Sequence, residues 1–143
     1  MFEHCIWYEL HKNHPLHLII RRCATLFRTQ QFPAHMTVHR NKTRRQANHL
    51  WHVHVKDYKR WFFKMGEIYQ THENNFYAIQ QDFSDFENTY HISIAYRYGK
   101  PFTPEECLQA AMIFNIDEIK ENDTFVSRHL CASVNPKEWK RIR

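Results

Sequence analysis

Two short stretches of this 143-residue chain place the same residue types in the same order. His35-Met36-Thr37-Val38 and His91-Ile92-Ser93-Ile94 both read histidine, apolar, hydroxyl, apolar. Side chains of a strand alternate between its two faces. In a strand, His35 and Thr37 therefore share one face while Met36 and Val38 point into a core. His91 and Ser93 separate from Ile92 and Ile94 in the same way. Each stretch offers a proton carrier beside a hydrogen-bond donor on a rigid element. Imidazole titrates near pH 6.5, so of two brought together one can be neutral and the other protonated. The neutral ring takes a proton from a nucleophile and the protonated ring gives one to a leaving oxygen. The hydroxyls donate to the negative charge that develops between them. This toolkit suits proton transfer around one phosphorus and calls for no metal. The sequence leaves open which histidine is the acid.

The elements that must position these residues are legible in outline. Residues 3–10 are β-prone. Asn13 is a candidate helix cap with Pro15 in the first turn, and Leu16, Ile19, Ile20, Cys23, Leu26 and Phe27 then fall at helical spacing. Pro33 stops the helix and the first tetrad follows as a strand. Residues 41–49 are polar and basic and read as a loop or one helical turn. Residues 50–58 alternate as a strand, further strands are expected near 61–70 and 75–83, and residues 82–88 form a turn. The second tetrad continues as a strand to Tyr98. Thr103-Pro104-Glu105-Glu106 starts a helix with a capping box, Cys107, Leu108, Ala111 and Met112 forming its apolar face. A strand near 124–134 precedes a basic tail, residues 136–143, expected to be mobile or surface-bound. The order implies one α+β domain, residues 1–135, with helices covering sheet faces.

Composition narrows the function. With 4 Trp, 7 Tyr and 11 Phe, the chain has material for a folded core. The net charge of +5 favours phosphate-bearing partners. Gly66 and Gly99 are the only glycines, which excludes a phosphate-cradling glycine loop; side chains or helix ends must hold any phosphate. Cys5, Cys23, Cys107 and Cys131 form no C-x-x-C pair. No leader-like segment or long apolar run is present, so reduced thiols, a cytoplasmic setting and no membrane association are expected.

Two tetrads of the form H-x-[ST]-x, with apolar residues at x, mark the two-histidine phosphoesterases, also called LigT-like proteins, and this chain resembles that family. The resemblance rests on the eight tetrad residues and on the order of elements. It implies two pseudo-symmetric lobes of antiparallel strands backed by helices, with one tetrad from each lobe facing a central cleft. It implies metal-independent hydrolysis of 2′,3′-cyclic or 2′-linked nucleotide phosphodiesters, with His35, Thr37, His91 and Ser93 as the catalytic set. RNA ends and cyclic or 2′–5′ oligonucleotide signals are the implied substrates, and small viral members of the family degrade immune second messengers. Where the family often has a longer connection with a helix before its second tetrad, this chain has only a turn. A compact member with an open cleft is expected, and any substrate grip from that segment is in doubt.

Around the tetrads, period-two spacing puts His39 on the face of His35 and Thr37, and Arg97 on the face of His91 and Ser93. Arg97 is then placed for bidentate contact with a phosphate oxygen. Tyr8 or Trp7 is a platform for stacking a base, the inward-facing one of the two belonging to the core. Arg40, Lys42, Arg44 and Arg45 make a basic segment suited to steering a polyanion. No cofactor and no obligate protein partner is inferred. Two rival readings remain: a basic, aromatic-rich module that binds RNA or a nucleotide without cutting it, and a zinc site drawn from His35, His39, His52 and His54, which matches no known zinc spacing.

Overall fold

The computed structural model describes residues 3–53, 59–62, 64–84, 88–113, 122–133 and 135–143. The elements are β1 (Glu3–Leu10), α1 (Pro15–Phe27), β2 (His35–Lys42), α2 (Arg44–Val53), β3 (Lys59–Phe62), β4 (Lys64–Glu73), β5 (Phe76–Ser84), β6 (Thr89–Tyr98), α3 (Pro104–Ile113), β7 (Asn122–Ala132), a 3-10 turn (Pro136–Glu138) and β8 (Lys140–Arg141). The fold is α+β. Its antiparallel sheet runs β3-β7-β1-β2-β6-β5-β4, with β8 added on β7. Consecutive hairpins build β4-β5-β6, the first through Asn74 and Asn75, both at positive φ as a tight two-residue turn requires. Among the described residues, β2 and β6 meet through a single pair, Met36 opposite Ile92. Both tetrads therefore lie at the narrowest junction of the sheet.

One sheet face carries the main core. Leu16, Ile19, Ile20, Cys23 and Phe27 of α1 pack on Tyr8, Leu10, Met36, Ile79, Ile92 and Ile94. Full burial of each large aliphatic contributes about 1.5–3 kcal/mol, which makes this layer the principal stabilising one. The opposite face bears a smaller cluster, Cys5, Trp7, Leu130 and Ala132, under Trp139.

Several expected details are corrected. His14, not Asn13, caps α1: its Nδ1 accepts the Leu16 N–H at 3.0 Å. Leu26 is exposed and Ala24 takes its place in the buried stripe. Residues 44–53 are helical, which extends the loop or single helical turn read over 41–49 into a full helix and overturns the start of the 50–58 strand; residues 54–58 lie outside the described set. Thr43 and Gln46 close a reciprocal capping box at 3.0 and 3.2 Å, and this local signal outweighs the alternation of His and Val. The predicted box of α3 is present, between Thr103 and Glu106, but Leu108 and Met112 are exposed and Ala110 is the buried contact. Asp82, Phe83 and Ser84 belong to β5 and not to a turn, while 85–87 lie outside the described residues. The tail is not loose: β8 pairs with β7, and Trp139 packs against Trp7 with ring centroids 4.9 Å apart. No helix among the described residues is long and apolar enough to cross a membrane.

Candidate active site

The Met36–Ile92 pair fixes the geometry of the site. Stepping one residue to either side in an antiparallel ladder sets His35 opposite Ser93 and Thr37 opposite His91, all four on the face away from the main core. His35, Thr37 and His91 line a cleft of about 620 Å³ on that face, within the size range of small-ligand sites. A separate cavity of about 560 Å³ opens near Glu9, His17, Arg21 and Pro33 and holds neither tetrad histidine.

His35 is held from three sides. The Leu10 N–H donates to Ala34 O at 3.1 Å, and His17 of α1 spans the same corner, contacting Leu10 O through Nε2 and accepting the Ala34 N–H through Nδ1. His35 Nδ1 lies 2.7 Å from Pro33 O, which only accepts, so Nδ1 carries the proton and Nε2 keeps a lone pair. The ring stacks on Trp7 at 3.4 Å between centroids, with Trp139 and Phe32 edge-on around it. Only 5% of the residue is exposed. Burial drives its pKa down to about 3, with His91 and His17 pushing the same way against the Pro33 carbonyl. At neutral pH His35 is an uncharged base of fixed tautomer.

His91 has a different setting. Burial also lowers its pKa and Arg40 adds to this, but Asp82, its cross-strand partner, acts in the opposite direction. Asp82 accepts the Tyr69 hydroxyl at 2.8 Å. Ser93 accepts the Tyr96 hydroxyl at 2.8 Å, which leaves the Ser93 O–H to donate elsewhere. The Thr37 hydroxyl, on the open side, has no hydrogen-bond partner among the described residues.

Three expected site residues fall elsewhere. Tyr8 pairs with Met36 and lies in the main core, where burial raises its phenol to about 12; Trp7, its neighbour, is the residue on the cleft face. Register shifts explain the other two. Between Gln80–Ser93 and Ile79–Ala95, β6 contributes one extra residue, so Tyr96 and not Arg97 returns to the cleft. Arg97 donates to both carboxylate oxygens of Glu106 at 2.7 and 2.8 Å and to the Lys100 carbonyl at 3.0 Å. It ties α3 to the sheet and lies outside the cleft lining. Between Trp7–Thr37 and Ile6–His39, β2 likewise contributes an extra residue, so Arg40 and not His39 faces the cleft. The bulges are equivalent: the fifth residue after each histidine, Arg40 or Tyr96, joins the site. Arg40 is steered by Glu3 at 3.3 Å and Glu73 at 3.5 Å and stays half exposed.

Sequence reasoning missed Asp82, Tyr96 and Trp139 as site residues and placed Arg40 only in a basic segment that steers a polyanion. Of the histidines in the zinc alternative, His52 lies on exposed α2 near Arg143 and His54 lies outside the described residues. Among the described residues, no three His, Cys, Asp or Glu side chains cluster as metal ligands do. No protein-family model matches the chain, and no curated protein matches it.

Proposed function

We propose that the protein is a metal-independent phosphodiesterase of the two-histidine type, acting on 2′,3′-cyclic or 2′-linked nucleotide phosphodiesters. The observation that carries this reading is the Met36–Ile92 pairing, which sets two His-x-hydroxyl pairs side by side on one cleft face. The two-lobe reading of the fold has the same support: a hairpin set β4-β5-β6 and a set β3-β7-β1-β2, joined at the tetrads and each bulged after its own.

In this reading His35 is the base. Its Nε2 takes a proton from water as the water oxygen bonds to phosphorus. His91, protonated, gives its proton to the bridging oxygen as that P–O bond breaks. A bound phosphodiester anion raises the pKa of His91 and favours the form that donates. Thr37 and Ser93 donate to the non-bridging oxygens, and Arg40 adds a charge-assisted contact there. Trp7 stays against His35, and Trp139, Phe76 and His72 around the cleft offer stacking surface for a base. An intracellular nucleotide signal or RNA terminus, in a viral or cellular setting, is the substrate class that a cleft of this size suits.

A second reading has one observation in its favour. The close packing of Trp7, Trp139 and Phe32 around His35 also suits a histidine that shapes a nucleotide-binding cleft without turnover. His35→Ala and His91→Ala separate the two. An enzyme loses about 10²–10⁴-fold in kcat with each while retaining substrate affinity. A binding module has no turnover to lose.

A further inference from the structure

A third cavity lies on the other side of the sheet, where α2 packs on β1 and β7. It measures about 400 Å³ and is lined by Arg44, Arg45, Asn48, His129, Ile142 and Arg143. Three features point to an anion. First, α2 begins with Arg44 and Arg45 and has no acidic residue in its first turn. Two cations at the positive end of a helix dipole oppose local stability, a conflict that a bound anion removes. The capping box occupies the Gln46 N–H through Thr43 Oγ1. The N–H groups of Arg44 and Arg45 have no partner among the described residues, as a phosphate cradle requires.

Second, His129 lines the same cavity with 1% of its surface exposed, and its Nδ1 has no hydrogen-bond partner among the described residues. A buried polar nitrogen without a partner is costly. Its other nitrogen is occupied, at 2.9 Å from His4 Nδ1. In the tautomer in which His4 Nδ1–H donates to His129 Nε2, His129 carries its proton on Nδ1 and presents a donor to the cavity. Third, the neighbours whose charges act on His129 are all basic, His4, Arg143 and Arg44, and with burial they keep its ring neutral. The side chains lining the pocket thus supply N–H donors and cations, and none of them is acidic.

We propose that this cavity is a second, non-catalytic binding site for a phosphate group, held by Arg44, Arg45, the first N–H groups of α2 and His129 Nδ1. It lies on the sheet face opposite the cleft and does not depend on the cleft being catalytic. Free phosphate and the terminal phosphate of a short oligonucleotide share this chemistry.

The test follows the ring nitrogens of His129 by ¹⁵N NMR in the full chain at pH 7.5. Sodium phosphate, or a 5′-phosphorylated dinucleotide, replaces sodium chloride at constant ionic strength. The proposal expects a saturable shift at His129 with at least one of the two ligands, retained in His35→Asn. In Arg44→Gln/Arg45→Gln, which changes two exposed side chains, the apparent Kd rises at least tenfold. Saturation by phosphate alone assigns the site to the free ion. Saturation only by the dinucleotide assigns it to an oligonucleotide end. His129 signals that neither ligand moves beyond the chloride control, or that saturate equally in the double variant, overturn the proposal.

Discussion

The buried, neutral state of His35 has a measurable effect on stability. Its pKa is about 3 in the folded protein and close to 6.5 in an unfolded chain. Between those values the unfolded state binds more protons, so stability falls as pH falls through that window. The full difference corresponds to roughly 5 kcal/mol, and the part already lost at pH 5 is about 2 kcal/mol. His35→Asn removes the titration and keeps an N–H that can reach the Pro33 carbonyl in place of Nδ1. Urea unfolding of both proteins at pH 7.5 and pH 5 isolates the effect, because other titrating groups, His91 and His129 among them, are common to both. The wild-type protein is expected to lose about 2 kcal/mol more than the variant on acidification, roughly 1 M in urea midpoint. Equal pH dependence in the two proteins would refute the assignment of His35 as a buried neutral base.

Other outcomes follow from the same geometry. If His35 acts neutral and His91 protonated, kcat/KM falls as pH rises through a limb below 6.5, the ordinary histidine value from which His91 is lowered. Asp82 raises the His91 pKa, so Asp82→Asn moves that limb to lower pH; a limb that stays fixed contradicts the assignment. Tyr96→Phe removes the donor to Ser93 and should lower kcat about tenfold while the fold is kept, as initial rates beside circular dichroism will report. Arg97→Gln should cost about 1–2 kcal/mol, read as a Tm drop of roughly 3–6 °C, with kcat and KM unchanged, because its partners are Glu106 and turn carbonyls. Arg28 ends α1 at φ 55, so Arg28→Gly should raise thermal stability by about 0.5–1 kcal/mol.

The strands carrying the tetrads were legible because each alternates strictly between a polar and an apolar face over four residues. The capping box of α3 and most of the buried stripe of α1 were legible for equally local reasons. Period-two reasoning failed just after each tetrad. A bulge inserts a residue that no side-chain pattern announces, and it exchanged Arg97 for Tyr96 and His39 for Arg40 at the cleft. The choice between Tyr8 and Trp7 needed knowledge of which face of β1 meets α1. The strand assigned to residues 50–58 competed with a capping signal, Thr43 to Gln46, that was present in the sequence and outweighs alternation. Trp139 reaches His35 only through the pairing of β8 with β7, a long-range contact with no local signature.

The central claim is that His35 and His91 act together on one phosphodiester. The most direct measurement is hydrolysis by the purified protein in excess EDTA. The panel holds a 2′,3′-cyclic mononucleotide, a 2′–5′ dinucleotide, a 3′–5′ RNA and a mixed-linkage cyclic dinucleotide, with His35→Ala and His91→Ala run beside the wild type. The account predicts cleavage of a cyclic or 2′-linked member that survives chelation and disappears in both variants. Cleavage that persists undiminished in either variant would contradict it.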